Sequence, residues 1–229
     1  MFSDGEALLA LVIHLKGEAE KQGVRLVQCL LEPDAALEVE VLRQAGFRRL
    51  ARLDFLSREL SLAAGLSGTV EAGPALSWVP YGPTVHAQFA RTVMETYQGT
   101  LDCPGLNGLR TIEDILAGHK AAAVHDPAWW RLLVCDGPPV GCVLLGEVPF
   151  RRALELIYMG VVPGARRGGI GATLLREAVR LGRATRLERI TLAVDAANTP
   201  ARRLYERFGF EPCASREAWI AVPLRDAKG

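Results

Sequence analysis

The stretch that most restricts the fold of this chain is Pro163-Gly164-Ala165-Arg166-Arg167-Gly168-Gly169-Ile170-Gly171. It lies between an apolar run ending at Val162 and a segment with Leu174, Leu175, Ala178 and Val179 at helical spacing. Proline ends the run, the glycines let the backbone reverse tightly, and apolar periodicity resumes with the period of a helix. Such a strand, turn and helix brings several N–H groups toward one point, where unsatisfied helix-end donors and the macrodipole favour an anion. Arginines on the rim can add charge-assisted hydrogen bonds to phosphate. Taken alone, the turn fits anion binding and fits equally a glycine-rich corner with solvated arginines. A P-loop needs Gly-Lys-Ser/Thr where this chain has Gly171-Ala172-Thr173, and a dinucleotide fingerprint needs a glycine where Leu174 stands.

The elements around the turn predict an α+β domain with one mixed central sheet. Leu76 to Tyr81 reads as a strand, Thr84 to Tyr97 and Ile112 to Lys120 as helices, and Gly99 to Leu109 as a polar, turn-rich loop. Trp129 to Cys135 and Val140 to Glu147 flank Asp136-Gly137-Pro138-Pro139 as a hairpin, and Ala153 to Val162 is a third run. After the turn come a helix (Gly169 to Ala184), a strand (Leu187 to Val194), a helix (Thr199 to Phe208) and a last strand from Gly209-Phe210 toward Leu224. Three antiparallel-type strands followed by helix, strand, helix and strand make a mixed sheet flanked by helices.

The same helix, strand, helix, strand order occurs over residues 1–60, and Gly23 to Phe47 aligns without gaps with Arg186 to Phe210. That correspondence reads as an internal duplication. The first copy has no Arg-rich glycine turn before its helix, and Ala35 and Leu42 stand where the second has Asn198 and Tyr205. Residues 1–60 are thus expected to be a degenerate, structural half domain, 61–75 a linker of small turn-forming residues, and 76–229 the working domain.

Composition narrows the partners. A formal charge of +1 gives no overall field for nucleic acid or an anionic membrane, although Arg151, Arg152, Arg166 and Arg167 cluster locally. The acidic start of the chain and the lack of an apolar run of about 18 residues point to a cytoplasmic protein without a secretory signal or membrane span. Five widely spaced cysteines read as buried hydrophobes in a reducing compartment, Cys103 beside Asp102 being the one with a turn-like setting. His86, His119 and His125 lack ligand spacing, so no metal is expected, and Trp129 and Trp130 read as core.

A second group of residues makes the turn more specific. The segment Val162 to Leu175 is similar to the acetyl-CoA signature of the GCN5-related N-acetyltransferase superfamily, Arg/Gln-x-x-Gly-x-Gly/Ala, at Arg166, Gly169 and Gly171. A second motif of that family, Asn-x-x-Ala-x-x-Leu-Tyr followed by Gly-Phe, is matched by Asn198, Ala201, Leu204, Tyr205 and Gly209-Phe210. The resemblance covers about residues 76–229. It implies acetyl transfer from acetyl-CoA, as co-substrate, to a primary amine on a small molecule or peptide, in a direct ternary complex. It implies that Met159, Gly160 and Val161 offer backbone groups to pantetheine, that Arg167, Gly168, Gly169, Ile170, Gly171 and Ala172 bind pyrophosphate through the backbone, and that Asn198 touches CoA.

Acetyl transfer needs a deprotonated amine, a stabilised oxyanion and an acid near the departing sulfur. Tyr205, by spacing a core tyrosine, is by family position the proton donor to the CoA thiolate. Asn198 also precedes Thr199-Pro200, which reads as a helix start with Thr199 as N-cap. Glu155 lies eleven residues before Arg166, where histone-modifying members of the family carry a glutamate; a carboxylate in an apolar strand should have a raised pKa, which suits a base. A solvent-facing Glu155, with Tyr158 or a relayed water serving instead, is the alternative. The loop with Asp102, Cys103 and Asn107 falls where the family places acceptor contacts. A reading of another class is an acyl-CoA sensor or scaffold whose duplicated half makes an interface, and a homodimer is compatible with either.

Overall fold

Fourteen strands and α-helices follow from these periodicities. In the computed structural model the described residues are 4–61 and 76–222, so the expected linker lies outside them apart from Ser61, as does the tail end of the expected last strand. The order is α1 (Asp4–Lys21), β1 (Val27–Leu31), α2 (Ala36–Gln44), β2 (Arg48–Glu59), β3 (Leu76–Pro80), α3 (His86–Thr96), α4 (Ile112–Ala121), β4 (Val124–Cys135), β5 (Pro139–Val148), β6 (Ala153–Val161), α5 (Ile170–Arg183), β7 (Arg189–Asp195), α6 (Thr199–Arg207) and β8 (Glu211–Ala221). The strands form one mixed sheet in the order β1-β8-β2-β7-β6-β5-β4-β3. Every neighbouring pair is antiparallel except β6 with β7. This is the α+β architecture that the sequence implies.

Two differences from the periodicity have local causes. The helix expected from Thr84 begins with a 3₁₀ turn at Pro83–Val85, where the proline at its start lacks an N–H, and becomes α-helical at His86. The strand expected from Trp129 starts at Val124 and is interrupted: the ladder with β5 jumps from His125 to Trp130 across Asp126-Pro127-Ala128-Trp129, since Pro127 has no N–H for a ladder. Trp130 is fully buried and its indole N–H donates to the Leu145 carbonyl at 3.1 Å, which anchors the hairpin.

Residues 27–59 are part of the chain's own sheet. β2 runs between β7 and β8, and β1 lies outside β8. The pairings repeat at the offset that aligns the two copies, since 190 − 27 = 163 and 221 − 58 = 163: Val27 faces Ala221 as Ile190 faces Arg58, and Leu31 faces Glu217 as Val194 faces Asp54. Between β2 and β8 the pair Leu53 and Arg216 lies on the local two-fold, because 216 − 53 = 163, and the register shifts bracketing Leu50 and Cys213 are equivalent. The pairings in the middle of the sheet therefore follow a local two-fold that passes between Leu53 and Arg216.

The two halves differ in what covers their helices. On one face of the sheet α5 and α6 bury Leu174, Leu175, Ala178 and Val179 against Leu133, Val143, Leu145 and Leu154 of β4–β6. On the other, α3 and α4 cover Trp130, Leu132, Cys142 and Leu144. Helix α1 packs Leu9 and Val12 onto a smaller core around Leu42, Phe47 and Trp219. Leu174 and Ala178 are fully buried, while Leu11 and Leu15, their counterparts at the same offset, are 51% and 57% exposed. Leu174→Ala should accordingly lower stability by about 2–5 kcal/mol, and Leu11→Ala should change it by no more than about 0.5 kcal/mol, as read from urea unfolding midpoints.

Candidate active site

The site is built where β6 and β7 part. The two strands pair at Ala153, Leu154 and Glu155 and then separate. On the β5 side the register slips between Leu144–Tyr158 and Leu145–Leu156, leaving Ile157 as an extra residue. A bulge of this kind bends the strand and raises its twist, and from there to Val161 the β7-side backbone of β6 lies outside the ladder. Met159, Gly160 and Val161 lie on that stretch. A Cβ at Gly160 would sit 2.6 Å from Thr96, so only glycine lets the end of α3 approach the strand this closely.

The turn at the mouth of the gap has the geometry its sequence predicts. After a 3₁₀ turn at Pro163–Ala165, Arg167 (φ 66°) and Gly169 (φ 81°) take left-handed conformations, and α5 starts at Ile170. A left-handed residue in such a run turns successive N–H groups to one side and makes an anion-binding concavity. The Ala172 and Thr173 N–H groups bond the Gly169 carbonyl at 3.0 and 3.2 Å. Those of Gly168, Gly169, Ile170 and Gly171 have no backbone acceptor among the described residues. Gly171 packs α5 onto α6: a Cβ there would lie 3.3 Å from Leu204.

Arg166 has a task that its place in the motif did not disclose. Its guanidinium donates to the carbonyls of Val161 (3.1 Å), Gly99 (3.1 Å), Thr96 (2.9 Å) and Gln98 (2.7 Å). It thus caps the C-terminal end of α3 and ties it to the end of β6, with its donors spent on backbone rather than turned to the rim. Arg167, adjacent, makes no such bonds among the described residues.

Asn198 also has both ends of its amide engaged. It is the N-cap of α6, in place of the expected Thr199, accepting from the Ala201 N–H at 3.3 Å, and its side chain bonds Asp102. Asp102 and Asp195 are laced through backbone: the Asp195 N–H donates to Asp102 at 2.9 Å and the Cys103 N–H donates to Asp195 at 3.2 Å. Burial, then the neighbouring Asp195, raises the Asp102 pKa above the usual carboxylate range against two hydrogen bonds that lower it. The same surroundings push the Cys103 thiol up to about 12, so it is held protonated and is a poor nucleophile. Tyr205 is buried against Phe210, and burial followed by the charge of Asp102 raises its pKa, keeping the phenol protonated.

The α3/α4 side of β6 carries the remaining groups. Glu155 is half-buried; burial raises its pKa and Arg151 partly offsets this. The Tyr158 hydroxyl shares a 2.7 Å hydrogen bond with Thr96, and its ring contacts Tyr97 and His119, with centroids 5.3 Å away in each case. His119 is pulled down to about 4 by burial and by Arg110, so it is neutral at ordinary pH. Beside Tyr97 opens a cavity of about 210 Å³ lined by Met94, Leu106, Asn107, Arg110 and Ile115 among others. Of these surrounding groups, Thr96, Tyr97, Arg110 and Asp195 had no signal beyond their residue types, because what matters is which carbonyl or ring they meet. No helix among the described residues is long and apolar enough to cross a membrane.

With this geometry in place, comparison with known proteins is decisive about family. Residues 100–210 match the acetyltransferase (GNAT) family model, a span holding β6, the turn, α5, β7 and α6. Residues 100–210, just under half of the chain, form a GNAT-family domain. It is 31% identical over 191 residues to a mycothiol acetyltransferase of Beutenbergia cavernae, across 80% of this chain and 61% of that protein. A mycothiol acetyltransferase of Streptomyces avermitilis is 36% identical over 95 residues, 42% of this chain and 31% of that protein. The chain thus spans about three fifths or less of the length of these relatives. A GCN5-related N-acetyltransferase of Sphaerobacter thermophilus superposes with a TM-score of 0.62 at 21% identity, over 86% of this chain and 59% of that one. A tandem GNAT protein from the clavulanic acid biosynthesis pathway gives 0.59 at 16% identity, over 95% and 70%. Both share the fold with this GNAT domain.

Replacing Arg166 by lysine removes the planar fork that reaches four carbonyls. We expect Arg166→Lys to lower stability by about 1–3 kcal/mol and Arg167→Ala to leave it nearly unchanged, as measured by urea unfolding.

Proposed function

We propose that this chain transfers acetyl from acetyl-CoA to a primary amine by direct attack in a ternary complex. The observation that carries the reading is the gap between β6 and β7 with a concave turn of free N–H groups at its mouth. A diphosphate fits that turn because the donors and the start of α5 favour negative charge together. The backbone of Met159, Gly160 and Val161, outside the β6–β7 ladder, supplies donors and acceptors for an amide-bearing arm such as pantetheine. Arg166 shapes this site through the backbone, and Asn198 through the start of α6. Residues 1–60 act in this reading as the repeat that completes the sheet, with one working site in the chain.

The chemistry then follows from the two sides of β6. An amine arriving from the α3/α4 side loses a proton to Glu155, directly or through water, and its nitrogen attacks the thioester carbonyl. The new C–N bond forms as the C–S bond breaks, the sulfur takes a proton from Tyr205, and the second proton shed by the nitrogen as it becomes an amide returns to the tyrosinate, directly or through water. A carboxylate raised by burial is a stronger base than an exposed one, and a phenol whose pKa is raised remains protonated until it is needed. The mycothiol acetyltransferase names of the relatives favour a small-molecule amine as acceptor. No metal enters the scheme, and the cytoplasm is the compartment we propose for it.

Tyr205→Phe should lower kcat about 100-fold or more in a thiol-release assay with acetyl-CoA and an accepted amine. Unchanged kcat removes Tyr205 from the mechanism. With Glu155 as base, kcat/KM rises with pH through a pKa above the ordinary glutamate value, because the carboxyl must lose its proton first. Glu155→Gln should abolish that limb, and a limb that persists assigns it to another group.

A further inference from the structure

The cavity beside Tyr97 contains a cation whose hydrogen bonding is incomplete. Its wall is mostly apolar, from Met94, Tyr97, Leu106 and Ile115, yet Arg110 lines it as well. The Arg110 Nε is buried and has no hydrogen-bond partner among the described residues. Removing an ionic donor from water without an acceptor is costly, which makes the group a receptor for one.

The nearby acids do not meet that need. Asp114 feels the charge of Arg110 but makes no hydrogen bond to it, exchanging its hydrogen bonds with Thr111 in the capping box of α4. Asp102 is held by the Asp195 N–H and Asn198. His119, one turn beyond Ile115, is neutral and stacked on Tyr158. The start of α4, two residues after Arg110, adds positive potential on the same side.

The cavity also adjoins the face of β6 from which the acetyl-transfer reading brings the amine. Tyr97 forms part of its wall and meets Tyr158 of β6 at 5.3 Å between ring centroids, so one aromatic layer separates the cavity from the strand that carries Glu155. Its volume of about 210 Å³ suits a fragment the size of an amino acid. We infer that the acceptor of this site carries an acidic group, a carboxylate or a phosphate, which pairs with Arg110 while its amine reaches β6. Asn107, on the same wall, offers a further donor to the anion. The inference rests on the acetyl-transfer reading for the amine, but the anion subsite stands on Arg110 and the cavity.

Two measurements separate the two claims. Thiol release from acetyl-CoA is followed with matched acceptors: amino acids against their amides, and phosphoethanolamine against ethanolamine. The CoA-loaded protein is also titrated calorimetrically with N-acetyl amino acids and their amides, which have no amine to react. The acidic member of a pair should be preferred by about ten- to a hundred-fold in kcat/KM, the range of a charge-assisted hydrogen bond. That ratio should fall toward one in Arg110→Gln and be partly kept in Arg110→Lys. Because it is taken within each variant, a general loss of activity cancels, and the two pairs tell carboxylate from phosphate.

If acidic ligands bind more tightly in an Arg110-dependent way but no amine is turned over, the subsite holds and the transfer reading fails. If neutral amines are turned over as well as acidic ones, or the preference survives Arg110→Gln, the subsite is overturned and the transfer reading stands. Without turnover and without acid-selective binding, both fall.

Discussion

The parting of β6 and β7 is the constraint on which the rest of the molecule depends. Theirs is the single parallel contact in the sheet among the described residues, and it lasts for three residue pairs before the strands diverge. A diverging pair leaves backbone donors and acceptors facing the gap, which is costly unless water or a ligand uses them. Several features hold the strands in that state. The extra residue Ile157 turns β6 away, Gly160 lets α3 close on its far side, and the four hydrogen bonds of Arg166 fix the end of α3 to the end of β6. On the other bank, the Asp102–Asp195–Asn198 network sets the end of β7 and the start of α6.

The N-terminal half contributes to the same end through the sheet. β2, inserted between β7 and β8, supports the bank of the gap opposite β6. The pairings on either side of the insertion match at an offset of 163, β1 with β8 as β7 with β2, so β2 and β8 meet in register about Leu53 and Arg216. The offset was legible in the sequence because Gly23 to Phe47, a strand and a helix, aligns without gaps with Arg186 to Phe210. The place of β2 between β7 and β8 was not, because strand order depends on which edges meet.

The site was legible to a comparable degree. The turn could be read because glycine spacing and a following apolar helix leave few conformations open, and the backbone there has the left-handed residues and unbonded N–H groups expected of it. Side-chain tasks were less legible. Arg166 stands in the motif as if on the rim of an anion site, but its guanidinium is spent on carbonyls as far away in the chain as Thr96. Asn198 had the look of a residue beside a cap and is itself the cap. Arg110 and His119 gain their character from burial, which no local pattern encodes.

The central claim, that the gap and its turn receive CoA, is tested most directly by an amide NMR titration of the protein with CoA. The N–H signals of Gly168, Gly169, Ile170 and Gly171, together with those of Met159 to Val161, should shift in a saturable way while those of α1 and β1 stay in place. Saturable shifts confined to other surfaces, or none at CoA concentrations in the millimolar range, would contradict it.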